Sequence, residues 1–151
     1  MYSRVRVKVK KWSHFRGELP QYESLQASGL DVRAQISEDW YLEPGERLLI
    51  PTGLSVEIPQ GFEIQVRPRS GLALREGLGL LNSPGTIDAD YRGEIKIIVV
   101  NLGQNTIKIH PGDRIAQLVL CPVIQLEWDE GIELNETLRG TQGFGSTGVS
   151  V

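Results

Sequence analysis

The chain has 151 residues, 40% of them hydrophobic, and a formal net charge of -3. A chain of this length is expected to form one domain that buries roughly 70% of the surface exposed in its unfolded state. Its slight acidic excess excludes an extended basic stripe, so we expect no binding to a nucleic acid polymer.

The first twelve residues alternate basic and apolar side chains and lack the continuous apolar stretch of a secretory signal peptide. Apolar runs such as residues 97–100 fall far short of the ~20 residues that a membrane-spanning helix needs. The single cysteine, Cys121, allows no internal disulfide and fits a reducing compartment. We therefore expect a soluble, cytoplasmic protein that does not bind a membrane.

Short segments with the two-residue period of half-buried strands follow one another along the chain. The first begins with Val5, Val7 and Val9, which alternate with basic residues. Further strands are predicted at residues 47–50, 54–58, 62–67, 94–101, 106–110 and 114–119.

Turns separate nearly all of these strands, and only one helix is predicted. Pro44-Gly45 and Pro111-Gly112 suit turns in which proline presets φ and glycine accepts a positive φ. The helix is predicted at residues 70–76, with Ser70 as a candidate N-cap. Many short strands and almost no helix predict an all-β sandwich, barrel or jelly roll.

Residues 67–71 place two arginines, a serine and a glycine where a strand ends and the helix begins. Backbone N–H groups at a helix N-terminus and the planar fork of arginine both match phosphate oxygens. Arginine at a strand end also serves solubility alone, so both interpretations stay open on these residues.

Residues 85–93 are predicted to form an extended hairpin around a pocket. Asp88 and Asp90 would face the same side, either towards a pocket or as solvated turn residues, a position that aspartate favours. Tyr91 either lines that pocket or packs against the core.

The strand period is lost after Trp128, and residues 139–148 contain four glycines. Such a segment stays mobile until something orders it. It lacks the lysine and the following helix of a P-loop. A frayed terminus is one interpretation, but Arg139, Phe144 and the hydroxyls beyond them supply groups that suit a nucleotide.

Five segments, taken in order, resemble the five motifs of the trimeric dUTP pyrophosphatase family. They are ASGLDV at 27–32, PRSGL at 68–72, GTIDADYRG at 85–93, GDRIAQL at 112–118 and RGTQGFGSTG at 139–148. The resemblance spans most of the chain, whereas residues 11–26 carry no family motif and have no functional interpretation.

This resemblance implies a distorted β jelly-roll or barrel subunit with at most one short helix, in a threefold homotrimer whose active sites are shared between subunits. Residues 1–138 would form the jelly-roll domain. Residues 139–151 would form a flexible arm that closes over an active site of another subunit. The implied reaction is hydrolysis of dUTP to dUMP and pyrophosphate with Mg²⁺. The alternatives are a dCTP deaminase of the related fold and a non-catalytic nucleotide-binding protein.

By the same resemblance, Asp88 orients and deprotonates the water that attacks the α-phosphorus, because a carboxylate can accept its proton. Asp90 is the less favoured of the two carboxylates. Asp31 is expected to reach the metal indirectly through water, since Mg²⁺ retains much of its water shell. A local turn cap is the alternative role for Asp31.

Phosphate oxygens are expected to be held by Arg69, Ser70 and Gly71. Gln117 is expected to add a polar contact near the phosphates.

Recognition of the nucleoside is expected from the hairpin that ends near Lys96. Asn82 and the backbone would select uracil, with Thr86 and Ile87 also among the substrate-binding residues. Tyr91 would pack against the deoxyribose and leave no space for a 2′-hydroxyl.

The C-terminal arm is expected to complete the site. Phe144 would cover the uracil ring, while Arg139, Ser146 and Thr147 would reach the terminal phosphate. Gly145 belongs to the same substrate-binding segment.

Overall fold

The computed structural model describes residues 4–131 and 133–143, and in these ranges the chain folds into eleven strands and one short helix. In chain order the elements are β1 (Lys8–Lys11), β2 (Leu30–Arg33), β3 (Trp40–Leu42), β4 (Arg47–Pro51), β5 (Leu54–Glu57), β6 (Phe62–Arg67), α1 (Ser70–Glu76), β7 (Leu78–Leu80), β8 (Gly85–Ile87), β9 (Lys96–Asn101), β10 (Ile107–Ile109) and β11 (Arg114–Pro122). The predicted all-β class with one short helix is confirmed.

The strands form four small antiparallel sheets. Their orders are β1-β5, β10-β3, β2-β11-β6-β8 and β4-β9-β7. The core lies between them and consists mainly of branched aliphatic side chains, among which Val32, Leu42, Ile50, Ile97 and Val99 are almost completely buried. Branched side chains suit this packing because they fit the pleated faces of strands.

The four-stranded sheet brings together segments that are far apart in the chain. β11 pairs with β2 on one side, where Gln117 is the register partner of Asp31. On its other side it pairs with β6, where Gln117 faces Arg67. β8 then adds to β6, with Ile64 opposite Ile87. The strand order therefore brings parts of the first, fourth and third motif segments into one sheet, and the second motif segment follows directly after β6.

Two turn predictions are confirmed, and one capping prediction is wrong. Gly45 has φ +80° and Gly112 has φ +83°, which are conformations that favour glycine. The helix spans Ser70–Glu76 as predicted, but Ser70 is its first helical residue. The N-cap is Arg69, whose side chain forms no capping hydrogen bond.

Several strand boundaries differ from the predicted ones. Val5 and Val7 precede β1, because the ladder with β5 starts only at Lys8. The strand predicted at 94–101 starts at Lys96. β11 extends to Pro122, beyond the predicted residue 119, because all six residues of β6 pair with residues 117–122 of β11. In the described part of the chain, no helix has the length and apolar character needed to cross a membrane.

Candidate active site

A pocket of about 570 Å³ lies beside the end of β8. It unites six residues that the sequence analysis assigned to the substrate: Asn82, Thr86, Ile87, Asp88, Tyr91 and Lys96. The other lining residues are Trp12, Leu49, Val66, Gly85, Gly93, Glu94, Ile95 and Ile98. An apolar wall with a few polar groups is typical of a small-molecule site.

The hairpin predicted at 85–93 is not a pair of bonded strands, because β8 pairs with β6 whereas β9, the next strand, pairs with β4 and β7. Residues 85–96, for which we keep the name hairpin, build the pocket, and their first limb is β8. Gly85 and Ile87 are buried, and Thr86 between them is exposed. The chain turns directly after Ile87, where the Tyr91 N–H donates to the Asp88 carbonyl oxygen over 3.2 Å. Asp88 therefore ends the strand with its side chain exposed at the pocket.

The second limb of the hairpin is joined by backbone hydrogen bonds to residues 52–54, where β5 begins. The Ile95 N–H donates to the Leu54 carbonyl oxygen over 2.7 Å, and the Thr52 N–H donates to the Ile95 carbonyl oxygen over 3.2 Å. Asn82 packs at the start of the hairpin, where its Nδ2 would lie 3.2 Å from a Cβ added at Gly85. A side chain at Gly85 would therefore require Asn82 to shift by a few tenths of an ångström.

Tyr91 is held against the backbone of the same hairpin. Its hydroxyl donates to the Glu94 carbonyl oxygen over 3.0 Å. Its ring lies so close to Gly93 that a Cβ at this position would overlap the Tyr91 hydroxyl. Tyr91 is 45% exposed, and these two contacts hold its ring at the wall of the pocket.

Polar side chains surround Asp31, whose own side chain is only 8% exposed. Together with Asp31, these residues are called the Asp31 cluster. Arg69 Nε lies 3.2 Å from Asp31 Oδ1. Gln117 Nε2 donates to the same oxygen over 3.1 Å. Arg114 Nε lies 3.6 Å from Asp31 Oδ2. Two of the residues predicted to bind phosphate, Arg69 and Gln117, are thus brought together by one carboxylate.

Asp31 lies within β2, and its carboxylate binds side chains, so it does not cap a turn. The described residues contain no group of three or more His, Cys, Asp or Glu that could hold a metal ion. Mg²⁺ commonly uses one or two carboxylates together with water and substrate phosphates. Because its oxygens already face cationic groups, Asp31 fits contact with Mg²⁺ through water better than direct ligation.

Ser70 and Gly71 begin α1 directly after Arg69. Ser70 is exposed, and a Cβ at Gly71 would lie 3.2 Å from Arg75 Nη1. Arg69 Nη1 donates to the Arg114 carbonyl oxygen over 3.3 Å, which joins the start of α1 to β11. Ser70 is thus exposed close to the Asp31 cluster, whereas Arg69 and Gly71 are partly buried.

The predicted site residues therefore fall into two groups in the described part of the chain. The 570 Å³ pocket is lined by none of the predicted phosphate- and metal-binding residues, which are Arg69, Ser70, Gly71, Gln117 and Asp31. Arg139 is exposed, and its Nε donates to the Gln142 carbonyl oxygen over 2.9 Å. The other residues predicted on the arm lie outside the described residues: Phe144, Gly145, Ser146 and Thr147.

The structure also adds residues that the sequence analysis did not select. Arg114, within the fourth motif, donates from Nη2 to Glu23 Oε1 over 2.8 Å. Glu23 belongs to the segment without a family motif, which lines a polar cavity of about 410 Å³ next to Asp31 and Arg114. Trp12 and Glu94 line the larger pocket. No local pattern signals these contacts, because each joins residues that are far apart in the chain.

Comparison with known proteins identifies a family for this chain. Residues 16–148 match the family model of dUTPase. A protein of Bdellovibrio bacteriovorus named deoxyuridine 5'-triphosphate nucleotidohydrolase is 62% identical over 142 residues, which cover 94% of this chain and 95% of the relative.

Solved structures give the same result. A mutant of the Staphylococcus bacteriophage 80alpha dUTPase, solved with dUpNHpp, superimposes with a TM-score of 0.84 and 27% identity, and the match covers 95% of this chain and 99% of that one. A mutant dUTPase from phage phi11 of S. aureus, described as showing the coordination of a structural Mg(II) ion, has a TM-score of 0.75 and 25% identity, with 85% and 98% covered.

Proposed function

The chain belongs to the dUTPase family, and from this we propose that it hydrolyses dUTP to dUMP and pyrophosphate. The observation that carries the proposal is the 570 Å³ pocket, which unites the residues of the third motif with Asp88 exposed at its wall. A nucleoside enclosed there would leave its phosphates near this carboxylate.

Asp88 is proposed as the general base. Its position directly after β8, at the pocket and open to solvent, supports this role because a water molecule can reach the carboxylate. The water would lose a proton to Asp88 and attack the α-phosphorus. The bond from that phosphorus to the bridging oxygen would break, and pyrophosphate would leave.

Arg69, Ser70, Gly71 and Gln117 are proposed to hold phosphate oxygens. The Asp31 carboxylate supports this role, because one of its oxygens binds the side chains of both Arg69 and Gln117. Charge-assisted hydrogen bonds from such a preorganised guanidinium are stronger than neutral ones. When bound, Mg²⁺ would neutralise phosphate charge and align the leaving group, with Asp31 in contact through water.

Uracil is proposed to bind between Asn82 and the hairpin residues Thr86 and Ile87, with Lys96 at the end of the second limb. The position of the Asn82 amide close to Gly85 supports this role, since its N–H and carbonyl groups, together with the backbone of the hairpin, can match the edge of the base. Cytosine would invert the pattern of donors and acceptors. A site built on hydrogen bonds can reject such an analogue by ~10⁴.

Tyr91 is proposed to exclude the 2′-hydroxyl of a ribonucleotide. Contact with Gly93 and the hydrogen bond to the Glu94 carbonyl oxygen support the role, because a ring held by both cannot move aside easily. Steric exclusion matters here, since a merely apolar pocket discriminates against an added hydroxyl only by ~10².

The active form is proposed to be a homotrimer with shared sites. Within one subunit, the proposed phosphate-binding residues do not line the proposed nucleoside pocket. This separation supports active sites that combine residues of different subunits. The segment after β11 also supports assembly, because Ile124, Trp128 and Leu134 are almost fully exposed in a single subunit. A neighbouring subunit that covers these side chains would remove their apolar surface from water, which favours association.

The division into a body at 1–138 and an arm at 139–151 remains a proposal. Arg139, Phe144, Gly145, Ser146 and Thr147 would reach the nucleotide only when the arm closes over a site of another subunit. The cytoplasmic location also remains a prediction.

The proposed function is tested by incubating the protein with Mg²⁺ and dUTP, dCTP, dTTP or UTP while pyrophosphate and ammonia are measured separately. We expect pyrophosphate from dUTP alone. Release of ammonia from dCTP would support the deaminase instead. Absence of turnover with tight dUTP binding would support a non-catalytic nucleotide-binding protein.

A further inference from the structure

The hairpin residues that hold Tyr91 are themselves held by two side chains from the N-terminal segment, which carries no family motif. β1 pairs with β5, and the ladder continues through the Trp12 N–H, which donates to the Gly53 carbonyl oxygen over 2.8 Å. The Phe15 N–H then donates to the Trp12 carbonyl oxygen over 3.0 Å, so the chain turns at this point. This geometry directs Trp12 and His14 towards the pocket hairpin.

The first connection runs from Trp12 through a buried serine. Trp12 Nε1 donates to Ser55 Oγ over 2.8 Å, and this hydroxyl donates to the Gly93 carbonyl oxygen over 2.8 Å. Ser55 is only 5% exposed, so water does not readily replace either hydrogen bond. Gly93 is the residue against which the Tyr91 ring packs. Trp12 therefore fixes the backbone on one side of that ring.

The second connection runs from His14 through Glu94. His14 Nε2 lies 2.7 Å from Glu94 Oε1, and because a carboxylate oxygen only accepts, the imidazole donates. The Gly53 N–H donates to the same oxygen over 2.9 Å. The side chain of Glu94 is 10% exposed, and Lys96 Nζ lies 3.8 Å from its other oxygen. The Glu94 carbonyl oxygen in turn accepts from the Tyr91 hydroxyl.

We propose that Trp12 and His14 are positioning residues that set the discrimination of the pocket between deoxyribose and ribose, by holding Gly93 and Glu94 against Tyr91. The inference rests on the proposed function, in which Tyr91 contacts the sugar. Neither residue needs to touch the reacting atoms. Their loss would let the hairpin, and with it the Tyr91 ring, move away from the position that excludes a 2′-hydroxyl.

The test compares kcat/KM for dUTP and UTP in Trp12→Phe, which lacks the indole donor, and in His14→Ala. We expect the ratio of dUTP to UTP to fall by roughly threefold to tenfold in each variant, the range of a single lost hydrogen bond. The dUTP turnover itself should change less than this ratio. Ser13→Ala is the matched control, because Ser13 lies between the two residues and, among the described residues, its side chain forms no hydrogen bond, while its backbone carbonyl accepts from Arg16.

Two further variants separate positioning from a general loss of stability. His14→Gln retains a side-chain N–H donor. Its ratio of kcat/KM for dUTP to that for UTP should therefore fall less than the ratio of His14→Ala. In a Tyr91→Phe background, which lacks the hydroxyl bound to Glu94, His14→Ala should have a smaller effect on the ratio. Full additivity of these two substitutions would contradict the inference.

Hydrogen exchange of the segment 91–96 gives a measurement that needs no turnover. We expect faster exchange in His14→Ala and Trp12→Phe than in Ser13→Ala. If the unchanged protein hydrolyses dUTP but the nucleotide ratio stays constant in both variants, the inference is wrong and the proposed function stands. If the unchanged protein does not hydrolyse dUTP, the proposed function itself fails.

Discussion

Asp31 and Arg69 form an ion pair in which Arg69 Nε lies 3.2 Å from Asp31 Oδ1. The carboxylate is 8% exposed and the guanidinium 29% exposed, so the pair is largely shielded from water. Gln117 donates to the same oxygen. One carboxylate on β2 thus preorganises two residues that we propose as phosphate ligands.

Replacement of Asp31 by asparagine should therefore impair both folding and phosphate binding. The loss of a charge-assisted hydrogen bond in this environment should lower the free energy of unfolding by about 1.5–3 kcal/mol. It should also lower kcat/KM for dUTP, because Arg69 is no longer fixed. Denaturant unfolding and steady-state kinetics measure the two effects. Lys108→Ala is the control, because it removes a more exposed ion pair, in which Lys108 Nζ lies 2.8 Å from Asp39 Oδ2. An Asp31→Asn variant with unchanged kinetics would show that the pair serves stability alone.

Replacement of Asp88 by asparagine should leave nucleotide binding intact and reduce turnover by at least ~100-fold, the lower range for loss of a general base. The amide keeps the size of the side chain but cannot accept the proton of the attacking water. Calorimetric binding of a non-hydrolysable dUTP analogue and single-turnover kinetics give the two values. Asp90→Asn is the matched control and should retain far more activity. Near-normal turnover in Asp88→Asn would rule out this residue as the base.

Replacement of Tyr91 by alanine should reduce the preference for dUTP over UTP by at least about tenfold, because the space occupied by the ring becomes available to a 2′-hydroxyl. The ratio of kcat/KM for the two nucleotides measures this preference. Tyr91→Phe keeps the ring and should retain more of the preference. An unchanged ratio in Tyr91→Ala would place the sugar elsewhere.

Removal of the residues after Leu138 should yield a folded trimer with little activity. The strands and the core of the described residues lie before this position, so folding should persist. Closure of an arm is a common way to exclude water and complete a site. Sedimentation and dUTP turnover test the two statements, and full activity in the truncated trimer would contradict the proposed role of residues 139–151.

The sequence predicts those parts of the fold that depend on local patterns. Alternating side chains indicate most strands, the helix is found at Ser70–Glu76, and the positive φ of Gly45 and Gly112 follows from the Pro-Gly turns. Ser70 fails as the N-cap because Arg69 occupies that position and forms an ion pair with Asp31 instead.

Contacts between residues that are far apart in the chain cannot be predicted from local sequence patterns. The pairing of β11 with both β2 and β6, which aligns Asp31 with Gln117, depends on the packing of the whole core. The contacts of Trp12 and His14 join residues more than forty positions apart. The resemblance to a family identified most candidate site residues, but it gave no account of this N-terminal segment.

The most direct test of the proposed reaction is hydrolysis of dUTP in water labelled with heavy oxygen, followed by mass spectrometry of both products. Attack of water on the α-phosphorus places the label in dUMP and leaves pyrophosphate unlabelled, and this is the result we expect. Label in pyrophosphate would show attack on the β-phosphorus and would contradict the proposed mechanism. Recovery of unreacted dUTP would contradict the proposed function as a whole.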